Sequence, residues 1–212
     1  MPRSFYSSSC LVPLLVAAAW WFYLFSPWTA GLTNFWVTMT LATVSLVAMA
    51  MLLQPDSWAV LKRDMGWRQL LGGLLLAALL WCLFWVGDKV SSLLFGFARS
   101  QVDSIYGMKA GLPPWLIALL LLLVIGPAEE FFWRGYVQRS LALRWGADKG
   151  FLAATALYAL IHLWSFNFML IMSALVCGLL WGFLYRLQPK WLPALVVSHA
   201  VWDACVFVVF PI

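Results

Sequence analysis

The chain has 212 residues, 65% of them hydrophobic and 10% charged, with a formal net charge of +5 and a mean hydropathy of +0.92. Such a balance places it in the membrane class and not among soluble domains. Its basic residues fall between long apolar runs, where membrane topology is set, so they read as orientation signals and not as a nucleic-acid surface.

Taken in chain order, runs apolar enough to cross or nearly cross a bilayer lie at about 11–25, 33–54, 69–87, 113–135, 150–165, 167–186 and 191–210. The expectation is an all-α polytopic transmembrane helical bundle of about seven spans, within a range of six to eight, in contact with membrane lipid. Arg3 before the first run gives the N-terminus the look of a signal sequence, but no small-residue cleavage site follows, so an uncleaved first helix is expected. The weakest element is 88–111, where Val90, Leu93, Leu94, Phe97 and Val102 suit an amphipathic surface helix or a re-entrant piece. Two regions follow: N-terminal membrane helices with this connecting segment at 1–110, and a helical core at 111–212. Gly126 with Pro127 is expected to start a fresh helical segment, and Gly178 with Gly182 to let two helices of the bundle pack closely.

With the N-terminus inside, one side holds Arg3, Lys62, Arg63, Arg68, Arg139, Arg144, Lys149, Arg186 and Lys190, and the other only Lys89, Arg99 and Lys109. This asymmetry predicts a multi-pass protein of the cell membrane with a cytoplasmic N-terminus. Trp20, Trp21, Trp28, Trp58, Trp67, Trp115, Trp164 and Trp191 lie near run ends and read as interfacial belts. Cys10, Cys82, Cys177 and Cys205 have neither CxxC nor metal-ligand spacing and read as small apolar fillers.

Chemistry is concentrated in the second half. Glu129, Glu130 and Arg134 lie within six residues of an apolar setting, where each charge costs roughly 2.5–3.5 kcal/mol to insert. Glu130 and Arg134 are four apart, in the order that favours an ion pair on a helix. Glu129 points about 100° away and is left unpaired on its own helix. The only two histidines also lie in apolar helices, His162 four residues after Tyr158 and His199 four before Asp203. If the fourth run ends near Tyr136, helical rise puts Glu129, His162, His199 and Asp203 at about 10–18 Å from the cytoplasmic edge, so all four can meet in that half of the bundle.

Glu129-Glu130-x-x-x-Arg134, Tyr158-x-x-x-His162 and His199-x-x-x-Asp203, in this order on successive helices, resemble the CPBP family of CAAX prenyl proteases and bacteriocin-processing enzymes, also called Abi. The likeness covers roughly 113–210. It implies an intramembrane endopeptidase of glutamate type, without bound metal, that cuts a membrane-anchored peptide or protein, either prenylated or a peptide precursor. It further implies that Glu129 with His162 activates a water, that His199 and Asp203 steady the oxyanion, and that Glu130 and Arg134 orient the site.

Two positions depart from the family pattern. Tyr158 stands where phenylalanine is common and adds a hydroxyl able to reach a polar neighbour. Asp203 stands where asparagine is frequent; an ionised aspartate cannot donate to an oxyanion, so it would have to be protonated, orient His199, or help hold a metal. Two histidines and two carboxylates also form a plausible zinc shell, although the HExxH spacing is absent. The competing functions are a non-catalytic membrane scaffold or immunity protein and, less well supported without repeated halves, a small proton-relaying transporter.

Overall fold

The computed structural model describes residues 10–212; Arg3, which the charge count includes, lies outside them. Among the described residues nine helices follow in order: α1 (Leu11–Phe25), α2 (Phe35–Leu53), α3 (Asp56–Asp64), α4 (Trp67–Leu94), α5 (Ala98–Gly107), α6 (Pro114–Trp145), α7 (Ala147–Leu160), α8 (Phe168–Leu187) and α9 (Pro189–Val209). No strand occurs among the described residues. The protein is an all-α polytopic bundle, as composition predicts.

Among the described residues five helices, α2, α4, α6, α8 and α9, are long and apolar enough to cross a membrane, and the 15-residue α1 is apolar but shorter. The run at 150–165 differs from expectation. It gives 14-residue α7 and then a 3-10 turn, Ile161–Ser165, which stops where Phe166 takes a positive φ of 50° and Asn167 caps α8 by accepting from Leu170 N. Asp88 to Leu94 extend α4, and the ten residues of α5 rise only about 15 Å, half the hydrocarbon thickness. The connecting segment therefore does not cross by itself.

Lipid supplies no hydrophobic drive between helices, so close packing of small residues must hold them together. A Cβ at Gly126 would come within 2.7 Å of Ala200 Cα, so α6 and α9 touch backbone to backbone beside the acidic pair. Gly178 and Gly182 face Thr155 and Phe151 of α7, which makes the GxxxG an internal contact of the bundle. The same contact is cross-bonded, because Thr155 Oγ1 donates to the Gly178 carbonyl at 3.1 Å.

Pro127 does not begin a new helix: α6 runs on for 32 residues. It has no N–H to give the carbonyl four residues back, and the backbone answers by widening. Leu121–Ile125 is a π turn in which Gly126 N bonds Leu121 O, and a second π segment, Phe131–Gln138, follows the glutamates. The five residues Gly126–Glu130 thus sit between two register shifts, which re-aim both carboxylates into the bundle.

The bundle has two chemically different ends. At one, Arg139 bonds Asp56 and Ser57, Gln54 bonds Ser140, and Arg186 pairs with Asp148. At the other, α5 ties the chain together: Trp36 Nε1 donates to Met108 O, Asn167 Nδ2 to Gln101 O, and Tyr106 Oη to Val206 O. Lys62, Arg63, Arg68, Arg139, Arg144, Lys149, Arg186 and Lys190 gather at the first end, Lys89, Arg99 and Lys109 at the second.

Candidate active site

Glu130 and Arg134, one turn apart on α6, form the expected ion pair, Arg134 Nη1 to Glu130 Oε1 at 2.7 Å, with both side chains almost wholly buried. The guanidinium is further enclosed by the rings of Tyr158 and Trp181, 4.9 and 5.5 Å from their centroids. Spacing along α6 gave no hint of a third partner. Glu130 Oε1 also lies 3.0 Å from His199 Nδ1 on α9, across the close contact at Gly126.

His199 links this pair to Asp203. Its Nε2 lies 3.3 Å from Asp203 Oδ2, one turn along α9, and Trp181 stacks on the imidazole at 4.2 Å between centroids. A carboxylate therefore faces each ring nitrogen, and since ionised carboxylates only accept, the arrangement suits a ring that donates from both. Asp203 is the more exposed end of the chain, with its side chain 18% accessible.

Glu129 faces away from Arg134, as the 100° rotation predicts. Tyr158 Oη donates to its Oε2 at 3.2 Å, so the hydroxyl added at this position reaches the acid itself. One turn further, His162 Nδ1 lies 2.8 Å from the Tyr158 carbonyl, which can only accept, so Nδ1 carries the proton. The other nitrogen is also engaged: Trp21 of α1 donates its indole N–H to His162 Nε2 at 3.1 Å.

Trp21 was missed as a site residue. It lies inside the 11–25 run and not at its border, and it is 1% exposed, which removes it from the interfacial belt where Trp28, Trp67 and Trp115 remain exposed. Its position within the run was the available signal. The cysteines of the described residues are all free, and Cys177 lines the cavity described next.

Glu129, Tyr158, His162, His199 and Asp203 all line one cavity of about 560 Å³. The four groups do meet, but near mid-length of the helices, and the cavity runs from there towards the end away from the basic residues. The walls come from Phe35 and Trp36 at the start of α2, Asp88 and Ser91 near the end of α4, Ile105 of α5 and Phe168 at the start of α8. The reason is the length of α6: it ends at Trp145 and not near Tyr136, which places Glu129 about 24 Å from the basic end. The N-terminal helices are thus not generic spacers, since α1, α2, α4 and α5 all contribute walls.

As arranged, these donors do not fit a zinc ion. Each histidine has both nitrogens engaged, and no group of three or more His, Cys, Asp or Glu is placed to hold a metal among the described residues.

Comparison with known families matches residues 111–205, somewhat under half of the chain, to the family model described as Type II CAAX prenyl endopeptidase Rce1-like. Comparisons with curated proteins and with solved structures gave no match. The matched segment contains Glu129, Glu130, His162, His199 and Asp203. Over residues 111–205 this membrane protein is similar to the Rce1-like CAAX protease family.

Proposed function

We propose that the protein is an intramembrane endopeptidase of glutamate type that hydrolyses a peptide bond of a membrane-anchored peptide or protein. The observation that carries this reading is the meeting of Glu129, His162, His199 and Asp203 at one cavity within the bundle. Glu129 is the base: Tyr158 holds Oε2 and leaves Oε1 for a water molecule. The water gives its proton to Glu129 and its oxygen to the peptide carbonyl; as the C–N bond breaks, that proton passes to the leaving amine. The second proton of the water leaves the new carboxyl group for the amine, so a carboxylate and an ammonium group result.

His199 faces the developing oxyanion from Nε2, where its 3.3 Å bond to Asp203 is long enough to be exchanged for a stronger one. Asp203 thus orients His199 before the oxyanion forms and does not itself donate to it, while Glu130 at Nδ1 keeps the ring in place afterwards, which accounts for an acid at this position. Glu130 and Arg134 hold α6 against α9 and fix the His199 ring. His162 joins Glu129 in activating water once its Nε2 is released by Trp21. No metal enters these steps.

The test is Glu129→Gln and His162→Ala, with proteolysis of membrane-anchored substrates and membrane abundance measured together. Activity lost at normal abundance supports the peptidase. Full function of both variants at normal abundance points to a scaffold. Activity abolished by chelators and restored by zinc alone would overturn the metal-free route.

A further inference from the structure

The cavity and the basic residues occupy opposite halves of the molecule. Its walls are the first turn of α2, the last turns of α4, the second half of α5, the start of α8 and the last turns of α9, through Trp36, Ser91, Ile105, Phe168 and Phe207. All of these elements meet at the end tied by Trp36 to Met108 and Asn167 to Gln101. The far ends of the same helices carry Lys62, Arg63, Arg68, Arg139, Arg144, Lys149, Arg186 and Lys190, against Lys89, Arg99 and Lys109 beside the cavity. Lys89 and Arg99 are paired with acids where they stand, and Lys109 lies over the Tyr106 ring. Asp88 pairs with Lys89 at 3.1 Å and with Arg99 at 3.4 Å, and Asp103 takes Arg99 at 2.7 Å.

Short loops rich in Lys and Arg stay on the cytoplasmic side of a bilayer. The loops at the basic end are short: Gln54 to Gly66 including α3, the single residue Gly146, and Gln188 between α8 and α9. We infer that the cavity opens on the non-cytoplasmic side of the membrane, so that the substrate is a secreted or membrane-anchored polypeptide segment presented from that side, and not the cytoplasmic tail of a lipidated protein. The substrate class rests on the peptidase reading; the side of access does not.

Glu129 lies near mid-length of α6, 15 residues or about 22 Å from the cavity end at Pro114, while His162 lies only three residues before the turn that follows α7 ends at Ser165. A peptide arriving from the cytoplasm would have to pass the buried Glu130–Arg134 pair and the Phe132 and Tyr136 rings. From the other side it meets an apolar wall with Glu129, His199 and Asp203 at its base.

Two measurements separate the two claims. Single cysteines at exposed Ser100 of α5 and Ala147 at the start of α7, in a background lacking the four native cysteines, are treated in intact cells with a membrane-impermeant maleimide. Ser100→Cys should label fully without permeabilisation and Ala147→Cys only after it; the reverse pattern overturns the inference whether or not the protein is a peptidase. Should that background not accumulate, protease-cleavable tags inserted at Ala110 and at Gly146 report the same two sides. A quenched fluorogenic lipopeptide is then supplied to one face of sealed vesicles. Cleavage from the non-cytoplasmic face is expected. Cleavage from the cytoplasmic face alone overturns the inference and leaves the peptidase intact, whereas none from either face or in detergent counts against the peptidase, with labelling still deciding the side.

Discussion

Residues 111–212 bring every acid and imidazole of the proposed catalytic set, whereas residues 10–110 bring part of the cavity wall and one hydrogen bond to His162. The family match covers only the first of these regions. A catalytic group needs a particular functional group at a particular helical spacing, which leaves a trace in sequence. A wall needs apolar bulk of suitable shape, which Phe, Trp, Leu and Met can supply in many orders. Chemistry is therefore concentrated in one half, and access to it is shared by both.

The comparison predicts that substitutions in the second half strike the reaction or the fold, while those in the first modulate it. The largest effect is expected for Glu129→Gln, a fall in kcat of about 10²–10⁴ at unchanged membrane abundance, the usual worth of a general base. A residual rate within tenfold of wild type would move the base elsewhere.

Next is Arg134→Ala. Removing one partner of a buried ion pair strands the other, at about 3–5 kcal/mol, so reduced abundance and a lowered melting temperature in detergent are expected. Arg134 encloses its charge with the Tyr158 and Trp181 rings as well, so Lys should rescue poorly. Normal folding of both variants would break the assignment of Glu130 and Arg134 to the scaffold of the site.

Trp21→Phe tests the reach of the first half. It keeps a ring against Trp133 and His162 but removes the N–H that occupies His162 Nε2. One net hydrogen bond is worth about 0.5–1.5 kcal/mol, so kcat should rise about two- to tenfold. A fall would instead make Trp21 a positioning donor for the imidazole, and no change would confine it to packing.

The smallest effect belongs to the basic end. The hydrogen bond from Arg139 holds the Asp56 carboxyl below its ordinary value, with a further Coulomb contribution from the same guanidinium. A carboxyl lowered in the folded state adds stability that is present above its unfolded pKa and lost as pH falls through the folded one. Because Asp56 is largely exposed, screening limits this to below about 0.5 kcal/mol, and Asp56→Asn should flatten the acid side of the thermal-stability profile only slightly.

Much of the site was legible because helical periodicity is local. The four-residue spacings of Glu130 to Arg134 and of His199 to Asp203 became real contacts, and the unpaired direction of Glu129 became a face on the cavity. Pro127 was misread, since a proline in a helix can be absorbed by a π turn as well as by a break. Tyr158 showed a hydroxyl in search of a partner, but nothing in its own helix named Glu129.

The amino-acid order alone determined the membrane class, the all-α architecture and which ionisable groups gather at the cavity, because hydropathy and helical pitch act over one or two turns. Only the tertiary structure decided that Glu130 joins Arg134 to His199, that Trp21 occupies His162, and that the cavity lies away from the basic end. Those facts depend on how far α6 continues and where its glycine lets α9 approach, which are properties of helices packed together and not of any helix by itself.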